Sequence, residues 1–294
     1  MIKLLLGVFR ARKLLDRFSP DIVLGTGGYT SAAVLLAQKL RRGKLVIHEQ
    51  NAVPGRTNLW LSRWADLVCV SFEESISYFK QKSKTRLVYT GMPVRKEFAS
   101  LPDKNTARRS LGLDSEMFTL LVVGGSQGAR KLNEVAVDMW PLIDDGSNQV
   151  MHQTGARNLN DVLSKAEGLS NSECYHITDY LDMRVALASA DLVLSRSGAS
   201  TLAEISAAGL PSLLAPYPFA YADHQRLNAN VFCKRRAAIM LSEESLSAAS
   251  IASVVVKLRN KPSLLASMSK RSSMVFGVGV ADKIAAELMT AASI

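Results

Sequence analysis

Short β-branched or leucine-rich runs alternate with amphipathic stretches along these 294 residues, and few folds accept that pattern. A parallel strand must be joined to its neighbour by a crossover, usually a helix. The alternation therefore predicts an α/β fold with helices packed on parallel sheets. The predicted strands are residues 22–24, 44–48, 67–70, 86–89, 119–123, 149–152, 174–177, 192–194, 212–215 and 238–241. Helices fill most gaps, and three more, near 245–259, 262–274 and 279–292, close the chain. A connection running from Gly91-Met92-Pro93 to Pro102 breaks the series. The length suits two cores of roughly 100–150 residues better than one. The break sets the first domain at 1–98 and the second at 99–275, leaving 276–294 as a helix with the first domain as its candidate partner.

The formal charge is +10, and its position says more than its size. Residues 1–100 hold 17 Lys and Arg against 7 Asp and Glu, whereas residues 101–294 hold 19 of each. Such an excess favours an anionic partner for the first domain: nucleic acid, an anionic membrane surface or a phosphorylated substrate. Plain solubility charge is the alternative. No recognition motif or aromatic-rich strand accompanies the charge, which argues against nucleic acid. No apolar run approaches the ~20 residues that span a bilayer. Arg10, Arg12 and Lys13 interrupt the apolar start, and no small-residue cleavage site follows. A cytoplasmic protein, soluble or peripheral, is expected. Cys69, Cys174 and Cys233 lack disulfide or metal-ligand spacing and read as buried thiols of a reducing compartment.

A doubly wound domain usually opens with a strand and a glycine-rich turn. This sequence opens with a predicted helix, Ile2–Phe18, so an absent upstream segment is expected. At 100° per residue Leu4, Val8, Ala11, Leu15 and Phe18 form one stripe suited to packing on the fold. Ile2, Leu5, Leu6 and Phe9 point the other way, among Lys3, Arg10, Arg12, Lys13 and Arg17. Apolar side chains among cations suit an interfacial contact with anionic lipid, because insertion and headgroup attraction add. A second packing partner within the protein is the alternative.

Three glycine-rich turns follow predicted strands. Gly25-Thr26-Gly27-Gly28-Tyr29-Thr30-Ser31 leads into a helix beginning near Ser31, and its N–H groups suit a phosphate. A tight turn without a ligand has the same signature. Gly124-Gly125-Ser126-Gln127-Gly128-Ala129 opens a helix over 129–140; the spacing is not the dinucleotide fingerprint, so a diphosphate fits better than NAD. Ser195-Arg196-Ser197-Gly198-Ala199-Ser200-Thr201-Leu202-Ala203-Glu204 carries Thr201 and Glu204 on one helical face. A carboxylate there can accept from both ribose hydroxyls, although an ordinary N-cap explains the Ser and Thr as well. Two polar clusters fall where strands end: His48-Glu49-Gln50-Asn51 and Asp223-His224-Gln225-Arg226-Leu227-Asn228. Open α/β sheets bind ligands at that edge, and a cluster in each domain favours a shared cleft.

In order, Gly-Thr-Gly-Gly-Tyr, His-Glu-Gln-Asn-Ala-Val-Pro-Gly, Gly-Met-Pro-Val-Arg, Gly-Gly-Ser-Gln-Gly-Ala, His-Gln-Thr-Gly, Ser-Gly-Ala-Ser-Thr-Leu-Ala-Glu and Asp-His-Gln resemble the MurG family from about Pro20 onward. Its members convert lipid I to lipid II in peptidoglycan synthesis, and with it serve cell shape and division. The resemblance implies a GT-B fold, two Rossmann-like domains facing a cleft, with UDP-N-acetylglucosamine held mainly by the second and undecaprenyl-linked lipid I by the first. It implies a peripheral protein on the cytoplasmic face of the cell membrane. By motif match, Asn51, Arg95 and Ser126 should contact the donor's sugar and diphosphate, and the Leu181 backbone the uracil. Ala199, Ser200, Thr201, Leu202, Ala203 and Glu204 should line the nucleotide, with Glu204 on the ribose and Gln225 on the sugar hydroxyls. Gly124, Gly125, Gln127 and Gly128 should form the donor diphosphate turn, and Gly27, Gly28 and Tyr29 should face the acceptor diphosphate. Arg226 stands where the family often has a second glutamine, and the family's opening Gly-Gly-Thr-Gly-Gly-His turn does not occur here.

The implied reaction is a displacement with inversion at the anomeric carbon by the acceptor's 4-hydroxyl, which needs a base. His48 and Glu49 are the motif-placed candidates. No Asp-x-Asp motif occurs, so neither a metal nor another cofactor is expected. The rivals are a catalytically impaired UDP-sugar-binding protein, a GT-B transferase with another acceptor, and a nicotinamide dehydrogenase, the last disfavoured by its missing fingerprint.

Overall fold

A computed structural model describes residues 2–79, 85–125, 128–277 and 279–292. In chain order it contains α1 (Ile2–Phe18), β1 (Ile22–Gly25), α2 (Gly28–Leu40), β2 (Lys44–Glu49), α3 (Arg56–Leu61), β3 (Leu67–Val70) and β4 (Arg86–Tyr89). There follow α4 (Lys104–Ser110), β5 (Phe118–Val123), α5 (Arg130–Ile143), β6 (Asn148–Gln153), α6 (Leu159–Ala166), β7 (Tyr175–Thr178), α7 (Met183–Ser189) and β8 (Leu192–Ser195). The chain ends with α8 (Ala199–Ala207), β9 (Ser212–Leu214), α9 (His224–Lys234), β10 (Ala238–Met240), α10 (Ala248–Arg259), α11 (Pro262–Ser273) and α12 (Val280–Ala292). Two compact units result, Met1–Pro93 with Gly279–Ile294, and Val94–Val278.

The first unit is a parallel sheet in the order β1-β2-β3-β4. Its strands alternate faces with a period of two. Val46, Leu67 and Cys69 point to one side, where Leu288 and Ala291 of α12 pack; Leu45, Ile47, Val68 and Val70 point to the other, onto Leu35 and Leu61. Burial of a side chain of this size contributes roughly 1.5–3 kcal/mol. Polar links fix α12 to the edge strand: Arg86 pairs with Glu287 at 2.5 Å and Lys283 Nζ donates to the Tyr89 carbonyl at 2.6 Å. Helix α1 lies against α2 through Val8, Ala11 and Leu15. Phe18 does not join that stripe. It is 82% exposed at the last turn, where the helix has run past its neighbour's apolar surface, and Leu4 is partly exposed as well.

The second unit is a six-stranded parallel sheet in the order β10-β9-β8-β5-β6-β7. From β5 the chain winds outward through β6 and β7, then returns to β8 and winds the other way. The reversal makes the boundary between β5 and β8 a topological switch point. Leu120 and Val122 face the core under Trp140, whereas Leu121 and Val123 face Leu187 and Ile205. Of the three cysteines only Cys69 is fully buried; Cys174 and Cys233 are partly exposed, so the expectation of three buried thiols is corrected. Among the described residues no helix is long and apolar enough to cross a membrane.

Candidate functional site

In an open α/β sheet the crevice for a ligand lies beyond the carboxyl ends of the strands at the switch point. In the second unit that point is set by register: Val123, the last residue of β5, pairs with Ser195, the last of β8. The 124–128 turn and the 195–198 turn therefore leave the sheet side by side. The first is built for close approach. Gly128 has φ +73°, and a Cβ there would collide with the Thr154 carbonyl and the Asn158 amide. Gly128 N–H closes the turn on the Gly125 carbonyl at 2.9 Å. Ala129 supplies no side-chain cap to α5, so the helix presents its N-terminus and dipole to whatever occupies the crevice. Ser126 and Gln127 lie outside the described residues.

The second turn is braced from below. Arg196 is buried, and its Nη1 donates to the carbonyls of Ala215 and Pro216 and to Glu243 Oε2, at 2.9–3.0 Å. Asn228 Nδ2 donates to the Ser197 carbonyl at 3.3 Å. These contacts tie the β8 turn to the loop after β9 and to α9, whose first turn carries Gln225. The Gln225 Oε1 accepts from Ser197 N–H at 3.2 Å and from Tyr217 N–H at 3.0 Å, which leaves Nε2 to donate. Just before it, Ala222 and Asp223 hold the left-handed region at φ +49° and +56°, unusual for residues with a Cβ. The other members of that polar cluster have internal partners: Arg226 with Asp223, and His224 with the Tyr221 carbonyl.

The run from Ala199 to Glu204 divides. Ala199, Leu202 and Ala203 bury their side chains, so only their backbone is open to a ligand. Ser200, Thr201 and Glu204 remain on the accessible side. Burial pushes the Glu204 carboxyl above its ordinary pKa, with the nearby Arg95 partly opposing the shift. Arg95 Nη2 stands 3.9 Å from Glu204 Oε1, and its guanidinium carbon lies 5.4 Å from the centre of the Phe98 ring. At Leu181 the expected backbone contact narrows to one group. The Leu181 N–H is committed to Gln153 Oε1 at 3.0 Å, so only its carbonyl remains to meet a base.

In the first unit, α2 begins at Gly28 rather than near Ser31, because Gly27 and Gly28 take φ +95° and +78° and turn the chain early. No side chain caps this helix, and Tyr29 is 85% exposed in its first turn. The geometry suits an anion at Gly27-Gly28-Tyr29. His48 and Glu49 do not present themselves as bases. Glu49 is 2% exposed, and its carboxylate accepts from Asn51 N–H at 2.9 Å, Gly55 N–H at 3.0 Å and Asn58 Nδ2 at 2.7 Å. It organises the loop that carries Asn51. His48 is also buried; Gln50 Nε2 meets its Nδ1 at 3.3 Å, and its Nε2 lies 3.4 Å from both the Gly91 carbonyl and Ser71 Oγ. Burial holds its pKa below the ordinary value, a hydrogen bond to Gly91 and the charge of Glu49 offsetting part of the shift. A general base needs a lone pair within reach of the substrate proton, and here both side chains are buried and engaged with internal partners. Asn58, Gln153 and the Arg196 clamp were missed in the sequence; Gln153 acts on Leu181, 28 residues on, Arg196 on Ala215 and Glu243, and Asn58 on Glu49 across the α3 turn.

A cavity of about 280 Å³ between α5 and α6 is bordered by Arg130, Asn133 and Asn158. Its flanking charges are paired, Arg130 with Glu134 and Lys165 with Asp138, and we assign it no ligand.

The sequence matches the Glycosyltransferase family 28 C-terminal domain over residues 119–285 and the Glycosyltransferase family 28 N-terminal domain over residues 1–70. It is 39% identical over 272 residues to the UDP-N-acetylglucosamine--N-acetylmuramyl-(pentapeptide) pyrophosphoryl-undecaprenol N-acetylglucosamine transferase of Halothermothrix orenii, covering 90% of this chain and 73% of that one. The enzyme of the same name from a Thermoanaerobacter species is 38% identical over 285 residues, 96% of this chain and 77% of that one. The crystal structure of Acinetobacter baumannii MurG superposes with a TM-score of 0.80 at 26% identity, covering 98% of this chain and 79% of that one. A UDP-GlcNAc 2-epimerase from Neisseria meningitidis, at 14% identity and a TM-score of 0.67 over 97% of this chain and 80% of that one, shares the fold alone.

Proposed function

The chain belongs to the MurG family of glycosyltransferase family 28 N-acetylglucosamine transferases, and from that premise we propose that it moves N-acetylglucosamine from UDP to the 4-hydroxyl of the N-acetylmuramyl group of lipid I, giving lipid II for peptidoglycan. The chemistry follows from membership. The location of the donor is our reading of the Val123–Ser195 register, which brings two ligand-type turns to one crest.

UDP-N-acetylglucosamine then lies over the β5–β8 switch of the second unit. The diphosphate meets the N–H groups around Gly125 and Gly128 and the N-terminus of α5, which stabilise the charge that grows on UDP as the glycosidic bond breaks. Arg95, 59% exposed, adds a cation beside Glu204. Glu204 accepts from the ribose hydroxyls, the Leu181 carbonyl accepts from the base, and Gln225 Nε2 donates to a sugar oxygen. The attack on the anomeric carbon inverts its configuration.

The first unit takes lipid I, with its diphosphate on the uncapped start of α2 beside Tyr29. Helix α1 lies on the membrane surface. Its outer face carries Leu5, Leu6 and Phe9, all more than half exposed, among Lys3, Arg10, Lys13 and Arg17. Apolar insertion and attraction to anionic headgroups act together on such a face. The protein is thus peripheral on the cytoplasmic side, where UDP-sugars are made. The test is incubation with UDP-N-acetylglucosamine and a lipid I analogue, followed by mass spectrometry. An acceptor heavier by one N-acetylhexosamine, with one UDP released per transfer, is expected. UDP release without that product would overturn the reading.

A further inference from the structure

The glycine turn before α2 and the His48-Glu49 segment leave different strands, and one side chain joins them. Asn58, on α3, is 1% exposed. Its Nδ2 donates to Glu49 Oε2 at 2.7 Å and lies 3.4 Å from the His48 carbonyl. An ionised carboxylate only accepts, so Glu49 fixes which end of the amide is nitrogen. Oδ1 is thereby held in the interior, where it accepts no hydrogen bond among the described residues. On its other side the amide abuts Gly27. A Cβ at Gly27 would stand 3.2 Å from Nδ2 and 3.4 Å from Oδ1, tighter than ordinary contact, and Gly27 holds φ +95°, so space and backbone both favour glycine where the turn meets this group.

We propose that Asn58 is a positioning residue for the 25–28 turn: it seats the turn on the Glu49 carboxylate and so aims the first N–H groups of α2 at an anionic diphosphate. This rests on the assignment of that turn to the acceptor. Glu49 thus acts on both sides of its loop, holding Asn51 and Gly55 directly and the glycine turn through Asn58.

The titratable groups around the amide are Glu49 and His48 on β2; Arg56, at the start of α3, and Tyr29, on α2, are exposed. Substitution Asn58→Asp sets a second carboxylate against Glu49 in the same volume. Two carboxylates at hydrogen-bonding distance cannot both ionise, and the pair re-forms when they share one proton. Asn58→Leu fills similar space with no such recovery, while leaving His48 in place as a control.

At neutral pH, Asn58→Asp should lower kcat/KM for the lipid I analogue by about 10-fold while the KM for UDP-N-acetylglucosamine changes by less than about 2-fold. The deficit should narrow on acidification in Asn58→Asp and persist in Asn58→Leu. Amide hydrogen exchange of residues 24–31 in the intact chain, corrected for its intrinsic pH dependence, should quicken in both variants and slow again only in acidified Asn58→Asp. Parental kinetics with parental exchange would overturn the proposal. So would equal losses toward donor and acceptor without acid recovery, which mark a general loss of fold. A parent chain that transfers nothing removes the transferase reading, and the exchange measurement still decides whether Asn58 seats the turn.

Discussion

Ser197 and Gln225 are joined twice: the Ser197 N–H donates to Gln225 Oε1 at 3.2 Å, and the Ser197 hydroxyl donates to the Gln225 carbonyl at 2.8 Å. With Tyr217 N–H on the same Oε1, the amide is locked so that its nitrogen is the group left for a ligand. In Gln225→Glu a carboxylate can still accept both N–H groups, so the loop is kept while the donor is lost. The KM for UDP-N-acetylglucosamine should rise about 10-fold or more, with inhibition by UDP nearly unchanged. An unaltered KM would mean that Nε2 does not touch the sugar.

Glu204 gives the proposed nucleotide site a pH dependence. Its carboxyl titrates above the ordinary carboxylate range because it is buried, and the charge of Arg95 opposes that shift only in part. A protonated carboxyl accepts poorly from ribose hydroxyls, so UDP affinity should fall as pH drops through this raised pKa. In Glu204→Gln that dependence should vanish and binding should be weak throughout. Calorimetric titration of both proteins with UDP, over a pH series, checks this.

Stability carries a second signature. His152 is fully buried between Tyr175 and Asn133, and burial pushes its pKa down to about 3. Asn133 Nδ2 donates to the Thr154 carbonyl, so its Oδ1 faces the ring; Nε2 therefore carries the proton, and Nδ1 accepts from the Tyr175 hydroxyl. The unfolded chain binds a proton near the ordinary value of 6.5 and the folded chain does not until about 3. Stability from this residue is present above 6.5 and is lost as pH falls, by about 1.4 kcal/mol per unit within that window. Urea unfolding of the parent and of His152→Gln across pH 4–7 should show the shallower slope in the variant.

The proposed membrane face of α1 is open to a direct assay. Replacing Leu5 and Phe9 by Ser, both exposed, should leave the thermal midpoint within a few degrees and lower partitioning onto anionic phosphatidylglycerol vesicles by about 10-fold or more. Added salt should weaken the parent's binding, since headgroup attraction is screened. Undiminished sedimentation of the variant with vesicles would contradict the assignment.

Much of the fold was legible because its strands are short apolar runs set off by glycine or polar residues. Thr119 to Val123, for example, belongs to β5, which only adds Phe118 at its start. Both unit 2 turns were legible because glycine and small hydroxyl residues cluster where a strand gives way to a helix. Side-chain commitments were not. Glu49 read as a candidate base because a carboxylate beside a histidine at a strand end is chemically suggestive, and nothing in the sequence reveals that Asn58 and Gly55 already occupy it. Leu181 N–H is spoken for by Gln153, 28 residues earlier. Phe18 fits the helical stripe by angle, but periodicity alone does not tell where the neighbouring helix ends.

The central claim is that donor sugar is transferred from the crest between β5 and β8, and one comparison tests it most directly: transfer of labelled N-acetylglucosamine from UDP to a lipid I analogue by the parent chain and by Gly128→Ala. The added Cβ drives into the Thr154 carbonyl at a left-handed position and must displace the diphosphate turn while leaving the sheet intact. The expected result is saturable transfer by the parent and a loss of about 100-fold or more in a variant that remains folded by circular dichroism. A parent without transfer, or a folded variant as active as the parent, would contradict the account.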